Sequence, residues 1–584
     1  MASMLLLLGL LANGSAAKPA VQDRPNVVII MTDDQGHGDL GVQGHPVLKT
    51  PRIDALAGES ATVSAFYVHP VCTPTRAALF TGRHPQRTTA IDTWIGRAML
   101  EPDEITIAER LRDAGYATGI FGKWHLGDCH PMRPMDQGFD VSVVHRGGGI
   151  AQPADPEGGE GRYTDPILLR NGVLESFEGW CTDVYVDEMT AWMAKQDTPF
   201  FAVLTTNAPH GPFHDVPIEE YERYKAMDLE PTGASNHDRM ARILAMDANI
   251  DENVGRILDT LEGLGVADDT VVLYLHDNGA DHDGYSVGLR GRKGTVYEGG
   301  VRTPFFARWP GRFPPGVRTD AVGMHLDLAP TILEACEIEQ SDDRLDGRSL
   351  LGVLEAREAG DPSRPIIIQA HRGDAPVEWS NAMIRAGRWK LVNPSGFGRE
   401  LSEGESAPRV FELYDVLADP SEAHDLIAAE PAIASRLQAQ YEAWFEDVDR
   451  GGTAAYLSPP ISLGETAEPV WLTRQDWRRT RKGGWGGRSA GYWRVEPNTS
   501  GPFRVRVRRL DGQARPERVV LRFDDEILAE IEIDSDDATI IFDAVSMPRR
   551  IGRFTAEIQD ATGSYGAYQV GVERLVPNEP DSYD

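Results

Sequence analysis

The chain has 584 residues, 41% of them hydrophobic and 25% charged, which is an ordinary balance for a globular protein. This length allows about two to four domains and excludes a single small binding module. Asp and Glu number 90 against 58 Lys and Arg, so the net charge is −32. A surface this acidic repels nucleic acid and anionic membranes, and neither is an expected partner.

The N-terminal residues predict export. Residues 4–12 are apolar but too short to span a bilayer, and Ser15, Ala16 and Ala17 follow as small residues that suit a signal peptidase. We therefore predict a signal peptide over residues 1–17 and a periplasmic or secreted protein, with a buried N-terminal helix as the alternative. No later segment is long and apolar enough to cross a membrane.

From residue 24 onward, short apolar runs alternate with helical patterns, which is typical of an α/β fold with a mostly parallel sheet between helices. Asp238–Leu264 has apolar residues at helical spacing and is followed by Gly265, a typical helix end. We assign residues 24–374 to this large α/β domain. Its predicted buried strands are Asn26–Thr32, Tyr116–Phe121, Phe200–Thr205 and Thr270–His276.

Two smaller units are predicted after the α/β domain. Ala382–Val392 suits a hairpin and Pro431–Val448 an amphipathic helix, which predicts a small α+β subdomain over residues 375–450. Short alternating strands then predict a β-sandwich over residues 456–584, joined through the Gly- and Arg-rich stretch Arg478–Arg488. The predicted sandwich strands are Phe503–Val507, Arg518–Phe523, Ile527–Ile533, Ala538–Phe542, Arg553–Ile558 and Ala567–Val572.

The four cysteines are too few for a disulfide-stapled scaffold, and none belongs to a Cys-x-x-Cys pair. The sequence leaves open whether two of Cys129, Cys181 and Cys336 form a bridge. Cys72 lies two residues before Pro74, which suits the first turn of a helix, so Cys72 is expected at a helix entrance that favours negative charge. A packed, unreactive thiol is the alternative there.

Two pairs of oxygen-bearing side chains follow predicted strands. Asp33 and Asp34 come directly after the first strand, and Asp277 and Asn278 come after the fourth. Adjacent carboxylates at the carboxyl end of a sheet repel each other unless a cation or a proton intervenes. Oxygen ligands favour Ca²⁺, or Mg²⁺, over zinc. A turn or a helix N-cap is the alternative for the first pair.

The segment Cys72–Gly82 resembles the defining motif of the type I sulfatases, of the alkaline-phosphatase-like superfamily. That motif runs Cys or Ser, small, Pro, small, Arg, two loosely restricted residues, two apolar residues, Thr and Gly, and every position matches. Gly115–His125 is similar to the second family signature, although Phe121 occupies a position where a smaller residue is usual. Asn207–His210 and Gly291–Gly294 follow in family order. The resemblance covers residues 25–450, roughly.

The resemblance implies an alkaline-phosphatase-like fold and a cysteine-derived nucleophile. In this family a separate formylglycine-generating maturation enzyme oxidises the motif cysteine, here Cys72, to Cα-formylglycine (3-oxoalanine), whose hydrate attacks the sulfate ester. The resemblance also implies one Ca²⁺ held by Asp33, Asp34, Asp277 and Asn278 together with residue 72. Residues 24–374 are accordingly predicted to be the catalytic sulfatase domain.

The resemblance also implies roles for the charged side chains. Arg76, Lys123 and Lys293 would add positive charge around the sulfuryl group. Asp277 would accept the proton of the attacking hydroxyl, and His210, with Lys293, would assist departure of the alcohol. The implied catalytic residues are Cys72, Arg76, Lys123, His125, His210, Asp277 and Lys293.

The histidines and the lysines among these residues have alternative, non-catalytic interpretations. His125, which the resemblance assigns to removal of the last hydroxyl proton, and His210 could each be a satisfied core or loop histidine. Lys123 and Lys293 could each be a solvated surface charge. The joint placement of these side chains at several strand ends, with oxygen ligands and a nucleophile, favours an anion-cleaving site.

An exported sulfatase with an added β-sandwich is predicted to act on sulfated glycans. A phosphonate or phosphate ester hydrolase on the same scaffold is the enzymatic alternative, although Asn278 stands where an Asp-His pair would support a second metal. A non-catalytic glycan-binding protein is the alternative from another class. Candidate pocket residues are Trp94, Arg97, His145, Arg146, His282, Arg290 and Arg372, and candidates for stacking on sugars are Trp485, Tyr492 and Trp493, with packing as the alternative role.

Overall fold

The computed structural model describes residues 24–575, apart from 160, 340–343, 371, 397–399, 402–403, 466–467, 481–484, 500 and 510–511. The predicted signal peptide lies outside the described residues. Within the described ranges, none of the helices combines the length and apolar character needed to cross a membrane.

Twenty-eight strands are assigned within the described ranges. The first eleven are β1 (Asn26–Thr32), β2 (Thr62–Tyr67), β3 (Ala117–Lys123), β4 (Val141–His145), β5 (Ile167–Arg170), β6 (Val173–Ser176), β7 (Phe200–Thr205), β8 (Thr270–His276), β9 (Arg302–Thr303), β10 (Phe305–Arg308) and β11 (Arg318–Met324). The next six are β12 (Ile366–Gln369), β13 (Arg372–Gly373), β14 (Ala382–Ala386), β15 (Trp389–Asn393), β16 (Glu400–Leu401) and β17 (Glu412–Asp415). The C-terminal strands are β18 (Ile461–Leu463), β19 (Val470–Thr473), β20 (Arg478–Arg479), β21 (Gly491–Pro497), β22 (Pro502–Arg508), β23 (Pro516–Phe523), β24 (Glu526–Glu532), β25 (Thr539–Ser546), β26 (Gly552–Asp560), β27 (Gly563–Gly566) and β28 (Gln569–Arg574).

The α-helices of the described ranges all lie before the last two sheets. They are α1 (Pro51–Gly58), α2 (Cys72–Thr81), α3 (Pro85–Thr88), α4 (Ile107–Asp113), α5 (Cys181–Met193), α6 (Ile218–Lys225), α7 (His237–Leu264), α8 (Glu298–Val301), α9 (Leu328–Ala335), α10 (Leu351–Leu354) and α11 (Pro431–Val448). The helix predicted over Asp238–Leu264 is confirmed as α7, and Gly265 follows it in the left-handed conformation that glycine favours.

A central eight-stranded sheet has the order β10-β8-β1-β7-β3-β4-β5-β6. Its inner strands β8, β1, β7, β3 and β4 are parallel, whereas the pairs β10–β8, β4–β5 and β5–β6 are antiparallel. All four buried strands predicted from the sequence lie side by side in this sheet. Their carboxyl ends therefore open onto one edge, where α/β folds place their functional groups.

Both faces of the central sheet are covered by helices. On β1, Val27, Ile29 and Met31 belong to a core shared with α2, α4 and α9, whereas Val28 and Ile30 belong to a core shared with α5 and α7. Because alternate strand residues point to opposite faces, this division shows a sheet sandwiched between two helical layers. The predicted fold class is confirmed.

Two small sheets complete the α/β part. A three-stranded sheet has the order β11-β2-β9, and a four-stranded sheet has the order β12-β14-β15-β17 with α11 packed on it. The predicted hairpin is confirmed as β14 and β15, and the predicted helix Pro431–Val448 as α11. The four-stranded sheet begins at Ile366, ahead of the boundary expected at residue 375, and the domain boundaries stay a prediction.

The C-terminal strands form two sheets around one core. The sheet β18-β21-β26-β23-β24, to which β20 and β27 also pair, faces the sheet β19-β28-β22-β25. The interpretation of Arg478–Arg488 as a joining stretch was wrong, because β18 and β19 already belong to these sheets and β20 pairs with β21. Its composition suggested a linker, but the buried apolar side chains that precede it, such as Leu463 and Leu472, place the chain inside the sandwich before that point.

The sandwich is packed against the α/β part rather than tethered to it. Ile95, Met99, Cys129 and Met132 of the α/β part belong to the sandwich core. All four cysteines are buried and unpaired, so no bridge forms among Cys129, Cys181 and Cys336.

Candidate active site

The predicted site residues meet at the carboxyl ends of four adjacent strands. Asp33 and Asp34 follow β1, Lys123 ends β3, and Asp277 and Asn278 follow β8. His210, three residues beyond Asn207 in the loop after β7, reaches the same place, where its Nε2 lies 3.7 Å from Asp34 Oδ2. The strand order thus brings together side chains that are far apart in the sequence.

Cys72 is the first residue of α2, as its distance from Pro74 predicted. The helix runs through Ala77, Ala78 and Leu79, ends at Thr81, and is followed by Gly82 in a left-handed conformation. All ten helical residues are buried, so α2 is enclosed by the surrounding protein. Its N terminus directs Cys72 Sγ to 3.5 Å from Asp33 Oδ1. Burial, with the nearby Asp33 carboxylate, raises the pKa of this thiol, so it stays protonated at neutral pH.

Four side chains form a compact set of potential metal ligands. One ligand atom each of Asp33, Asp34, Cys72 and Asp277 lies within 4.8 Å of all the others, and all four residues are buried. Asn278 joins the set, since its Nδ2 donates a 2.9 Å hydrogen bond to Asp34 Oδ1 while its own buried Oδ1 has no hydrogen-bond partner. Oxygen donors and one unpartnered carbonyl fit a hard cation such as Ca²⁺.

Two lysines, the fully buried Lys123 and the partly buried Lys293, balance part of this negative charge. Lys123 Nζ lies 2.5 Å from Asp33 Oδ2, and Lys293 Nζ lies 2.5 Å from Asp34 Oδ1. Burial by itself raises the pKa of Asp34, but Lys293 and His210 outweigh it and lower that pKa. Both lysines therefore lie against the candidate ligands, and the surface alternative for them is wrong.

Arg76 connects two of the strand ends from α2. Its side chain is fully buried and donates hydrogen bonds to Asp277 Oδ2 at 2.9 Å and to the Lys123 carbonyl at 2.6 Å. Burial, together with the nearby Asp33, raises the pKa of Asp277 to about 6 even though Arg76 opposes the shift. Arg76 therefore holds the Asp277 carboxylate in a fixed orientation.

His125 is held by its ring nitrogen Nε2. This atom lies 2.8 Å from the Thr93 carbonyl oxygen, and the Gln475 amide nitrogen lies 2.9 Å from the same oxygen and 3.2 Å from His125 Nε2. Both nitrogens can donate to this one oxygen, which assigns the proton to Nε2 and leaves the lone pair on Nδ1. His125 Nδ1 is buried without a partner, and burial with Lys123 and Arg76 holds the His125 pKa well below its usual value.

His210 is also held through one ring nitrogen that contacts a backbone carbonyl. Its Nδ1 lies 2.7 Å from the Gly211 carbonyl oxygen, so Nδ1 carries the proton in the neutral ring and Nε2 faces Asp34. The backbone carbonyl of His210 accepts a 2.5 Å hydrogen bond from the Tyr163 hydroxyl, which fixes the loop. Burial lowers the His210 pKa to about 4.

A cavity of about 340 Å³ opens directly above Cys72. Its wall includes the predicted His125, His210 and Lys293, whereas Asp33 and Lys123 are fully buried and do not line it. The cavity therefore exposes the nucleophile position and the proton-transfer candidates to a ligand. The remaining lining residues are Val71, Thr93, Trp94, Gly148, Gln152, Arg372 and Trp485.

The candidate pocket residues divide into two groups. Trp94, Arg372 and Trp485 line the cavity, whereas Trp493 is fully buried in the sandwich core, as its packing alternative stated. The sequence analysis missed Gln475 and Gln152, for which no local pattern signals a role. The other candidates make contacts elsewhere: Arg97 and His145 pair with Asp92 and Asp155, Arg146 with the Trp471 carbonyl, His282 with Asp39, Arg290 with Tyr414, and Arg553 lies over Tyr492.

A mostly parallel sheet with a nucleophile position, oxygen ligands and cations at its carboxyl edge defines an alkaline-phosphatase-like hydrolase of anionic esters. Family models identify the chemistry more narrowly. The sulfatase model matches residues 25–338, and the model described as N-sulphoglucosamine sulphohydrolase, C-terminal, matches residues 292–447. The chain belongs to the sulfatase family, and its activity is that of a sulfuric ester hydrolase.

Individual relatives agree with this assignment. The chain is 33% identical to N-acetylgalactosamine-6-sulfatase of Canis lupus familiaris over 66% of this chain and 76% of the relative. It is 35% identical to human (Homo sapiens) arylsulfatase A over 60% of this chain and 70% of the relative. Among solved structures, Ps i-CgsB in complex with k-i-k-neocarrahexaose superposes with a TM-score of 0.64 and 26% identity, covering 75% of this chain and 95% of that chain.

Proposed function

We propose that this sulfatase removes sulfate from a sulfated oligosaccharide or polysaccharide, using formylglycine formed from Cys72 and one bound Ca²⁺. The observation that carries the proposal is the cavity above Cys72, which has the candidate ligands and cations beneath it and two tryptophans in its wall. Its volume of about 340 Å³ is of the size that suits a sugar-sized ligand. The solved relative Ps i-CgsB, whose structure contains k-i-k-neocarrahexaose, supports a carbohydrate substrate.

The two cofactors would supply what the side chains lack. Asp33, Asp34, Asp277 and Asn278, with residue 72, would hold Ca²⁺, which would supply Lewis-acid polarisation of a sulfate oxygen. Formylglycine at position 72 supplies, as its hydrate, a nucleophilic oxygen in place of a thiol. Conversion would require a formylglycine-generating enzyme as a partner.

The remaining chemistry belongs to the side chains. Asp277 lies where it can accept the proton of the attacking hydroxyl, and its hydrogen bond with Arg76 fixes the accepting carboxylate. Lys123, beneath the cavity, offsets negative charge through Asp33. His125 Nδ1, with its free lone pair, suits proton removal from the residue-72 side.

Departure of the alcohol needs a proton donor that faces the cavity. Lys293 and His210 both line it and both lie near Asp34. A sugar hydroxyl is a poor leaving group unless it is protonated as the S–O bond breaks. We assign the donated proton to the Lys293 ammonium, assisted by neutral His210, whose unprotonated Nε2 can accept a hydrogen bond beside it.

The location of the protein follows from the same proposal. A polysaccharide is too large to cross a membrane unaided, so an enzyme acting on it works outside the cytoplasm. The apolar N-terminal stretch of residues 4–12 supports export to the periplasm or beyond.

Sulfate and phosphate esters compared in one assay test the proposal. Protein co-produced with a formylglycine-generating enzyme is expected to favour 4-nitrophenyl sulfate over 4-nitrophenyl phosphate and to release sulfate from sulfated oligosaccharides. A preference for phosphate or phosphonate esters would support the alternative hydrolase, and binding of glycans without turnover would support the non-catalytic alternative.

Cys72→Ala is expected to remove the activity, with Cys181→Ala as the matched control. Cys181 is also a buried cysteine and also the first residue of a helix, but it lies outside the cavity lining. Equal loss in both variants would contradict the role of Cys72, because it would trace the effect to packing.

A further inference from the structure

The C-terminal sandwich reaches the active-site cavity through one tryptophan. Trp485 lies between β20 and β21, and it lines the same cavity as Cys72 and His125. The two family matches end at residue 447, so this wall lies outside the part of the chain that they cover. A residue of the added domain therefore faces the nucleophile position of the catalytic one.

This wall is held firmly in place. The Gly96 amide donates a 2.9 Å hydrogen bond to the Gln475 carbonyl, and the Gln569 side chain donates to the carbonyls of Pro153 and Asp155 at 2.9 and 2.8 Å. With the shared apolar core, these contacts fix the sandwich against the α/β part. Trp485 thus lines the cavity from a sandwich that is packed directly on the α/β part.

Trp485 is paired with a second tryptophan across the domain junction. Its ring meets that of Trp94 edge to face, with centroids 5.3 Å apart and an interplanar angle of 85°. Both rings are partly exposed and both line the cavity. Two perpendicular indoles form a corner with an apolar surface. Such a surface suits the C–H-covered face of a flat ring whose polar groups lie at the edges of that ring.

Positive charge accompanies this corner. The guanidinium of Arg372, which lines the cavity, lies 5.4 Å from the centroid of Trp94, and that of Arg479 lies 5.1 Å from it. Arg372 also pairs with Asp92 at 3.3 Å, which orients it. Guanidinium groups recognise carboxylates and sulfate-like anions through paired hydrogen bonds, so these two arginines place local positive charge in a protein whose net charge is −32.

We infer that Trp94, Trp485 and Arg372 form a saccharide subsite that the catalytic and C-terminal parts build together. A pyranose ring packs in the tryptophan corner, and a second acidic group of the saccharide, a further sulfate or a carboxylate, faces Arg372. The substrate class is accordingly a saccharide with at least two acidic groups, one of which is removed. This inference rests on the proposed function and deepens it.

Kinetics on two kinds of substrate test the subsite. Sulfate release is measured from 4-nitrophenyl sulfate and from a panel of carrageenan, chondroitin sulfate and heparan sulfate oligosaccharides in pairs with one and two acidic groups. Trp485→Ala is expected to lower kcat/KM for the saccharides roughly tenfold more than for the aryl sulfate, mainly through KM. Trp485→Phe, which keeps an aromatic face, is expected to recover most of this loss.

Arg372→Gln tests the charge requirement separately. The wild-type protein is expected to prefer the doubly acidic member of each pair, and the variant is expected to reduce that preference roughly tenfold. Trp471→Ala is the matched control for Trp485→Ala, because Trp471 is a partly buried tryptophan of the C-terminal sandwich that does not line this cavity. It should leave both ratios at the wild-type value.

Three results would overturn the subsite. They are an unchanged saccharide-to-aryl ratio in Trp485→Ala, an equal preference for singly and doubly acidic saccharides in the wild-type protein, and a panel in which no saccharide is cleaved. In the first two cases sulfate release from 4-nitrophenyl sulfate and from the saccharides shows that the proposed function still stands, whereas a panel without cleavage also contradicts the proposed saccharide substrate. Loss of 4-nitrophenyl sulfate hydrolysis as well would contradict the proposed function as a whole.

Discussion

Lys293 is assigned as the proton donor to the leaving alcohol, so the effect of replacing it should depend on the pKa of that leaving group. It lines the cavity and pairs with Asp34, where an ammonium can reach the ester oxygen of a bound substrate. Lys293→Ala is expected to lower kcat/KM about 100-fold or more for a saccharide sulfate, but by a smaller factor for 4-nitrophenyl sulfate, whose phenolate leaves without a proton. Rates across aryl sulfates of graded phenol pKa measure this, and equal losses along the series would contradict the assignment.

Gln475 is expected to act on His125 from the C-terminal sandwich. Gln475→Leu removes the amide that shares the Thr93 carbonyl with His125, which loosens the ring. We expect kcat to fall roughly tenfold, with a smaller change in KM and a shifted pH profile. Gln569→Leu is the matched control, since Gln569 is a buried glutamine of the same sandwich that also donates to carbonyls of the α/β part but does not contact His125.

The result that would contradict this positioning role is a pair of variants with the same kinetics. If Gln475→Leu and Gln569→Leu lower thermal stability and kcat by equal factors, the effect of Gln475 is structural. An unaltered pH profile in Gln475→Leu would lead to the same conclusion.

The oxygen-rich ligand set predicts a defined metal response. Removal of divalent ions by a chelator is expected to abolish sulfate release and to lower the thermal midpoint, because three buried carboxylates then repel one another. Added Ca²⁺ is expected to restore both, whereas Zn²⁺ is not, because the proposed ligands Asp33, Asp34, Asp277 and Asn278 offer oxygen atoms rather than the nitrogen or sulfur that zinc favours. Calorimetry with the apo-protein measures binding apart from activity, and full restoration by Zn²⁺ would contradict the assignment.

The sequence predicts the motif residues of the site, but it does not predict the residues outside the motifs that contact them. Cys72, Arg76 and Lys123 were identifiable because they stand in the segments Cys72–Gly82 and Gly115–His125, which resemble the two family signatures. The contact between Gln475 and His125 joins residues 350 positions apart, and nothing near Gln475 in the sequence signals it. Such a contact depends on the packing of two domains, which periodicity does not report.

Among the elements, β15 and the loop containing α8 are joined by a buried charge cluster. Lys390 Nζ lies 2.9 Å from both Glu298 Oε1 and Glu422 Oε1, and all three side chains are essentially inaccessible to solvent. Burial alone raises the pKa of Glu298, but Lys390 and the neighbouring arginines lower it to about 2. The cluster links the small sheet to the segment that follows the Lys293 loop.

Lys390→Met is expected to lower the free energy of unfolding by about 3–5 kcal/mol at neutral pH, because it leaves two buried carboxylates without their cation. Denaturant unfolding measures the loss. Lys225→Met is the control, since Lys225 is an exposed lysine paired with Glu222 at 3.8 Å and its loss should leave the free energy of unfolding nearly unchanged. Equal effects in the two variants would contradict the importance of the cluster.

Long, strongly patterned elements were predictable and short ones were not. The continuous apolar runs of β1, β7 and β8 and the helical spacing of α7 gave bounds within a few residues of those observed. Strands such as β2 and β11 escaped detection, because they acquire their hydrogen bonds only when Ala65 pairs with the distant Val322. The prediction of a linker at Arg478–Arg488 was wrong for a similar reason, since its Gly and Arg content does not indicate that β20 pairs with β21.

For the whole molecule, the shared core predicts cooperative unfolding. Apolar side chains of the α/β part, among them Ile95 and Met132, complete the core of the sandwich, so neither part buries its surface alone. Differential scanning calorimetry of the full chain is expected to show one transition that coincides with loss of sulfatase activity. Two well-separated transitions, with activity surviving the first, would show that the sandwich is an independent module.

The distribution of charge belongs to this scale as well. A net charge of −32 opposes the approach of an anionic substrate at long range. At physiological salt the Debye length is about 8 Å, so distant carboxylates barely act on the cavity, whereas Lys293 and Arg372 in its wall do. The composition alone therefore predicts little about the charge preference of the site.

Sulfatase activity is expected to depend on oxidation of one side chain, that of Cys72. Preparations of the wild-type protein made with graded amounts of the formylglycine-generating enzyme can be compared by mass spectrometry of the peptide containing residue 72 and by initial rates on 4-nitrophenyl sulfate. We predict that the rate rises in proportion to the fraction converted from thiol to aldehyde and extrapolates to nearly zero for unconverted Cys72. Full sulfatase activity in protein whose residue 72 is entirely unconverted cysteine would contradict the account.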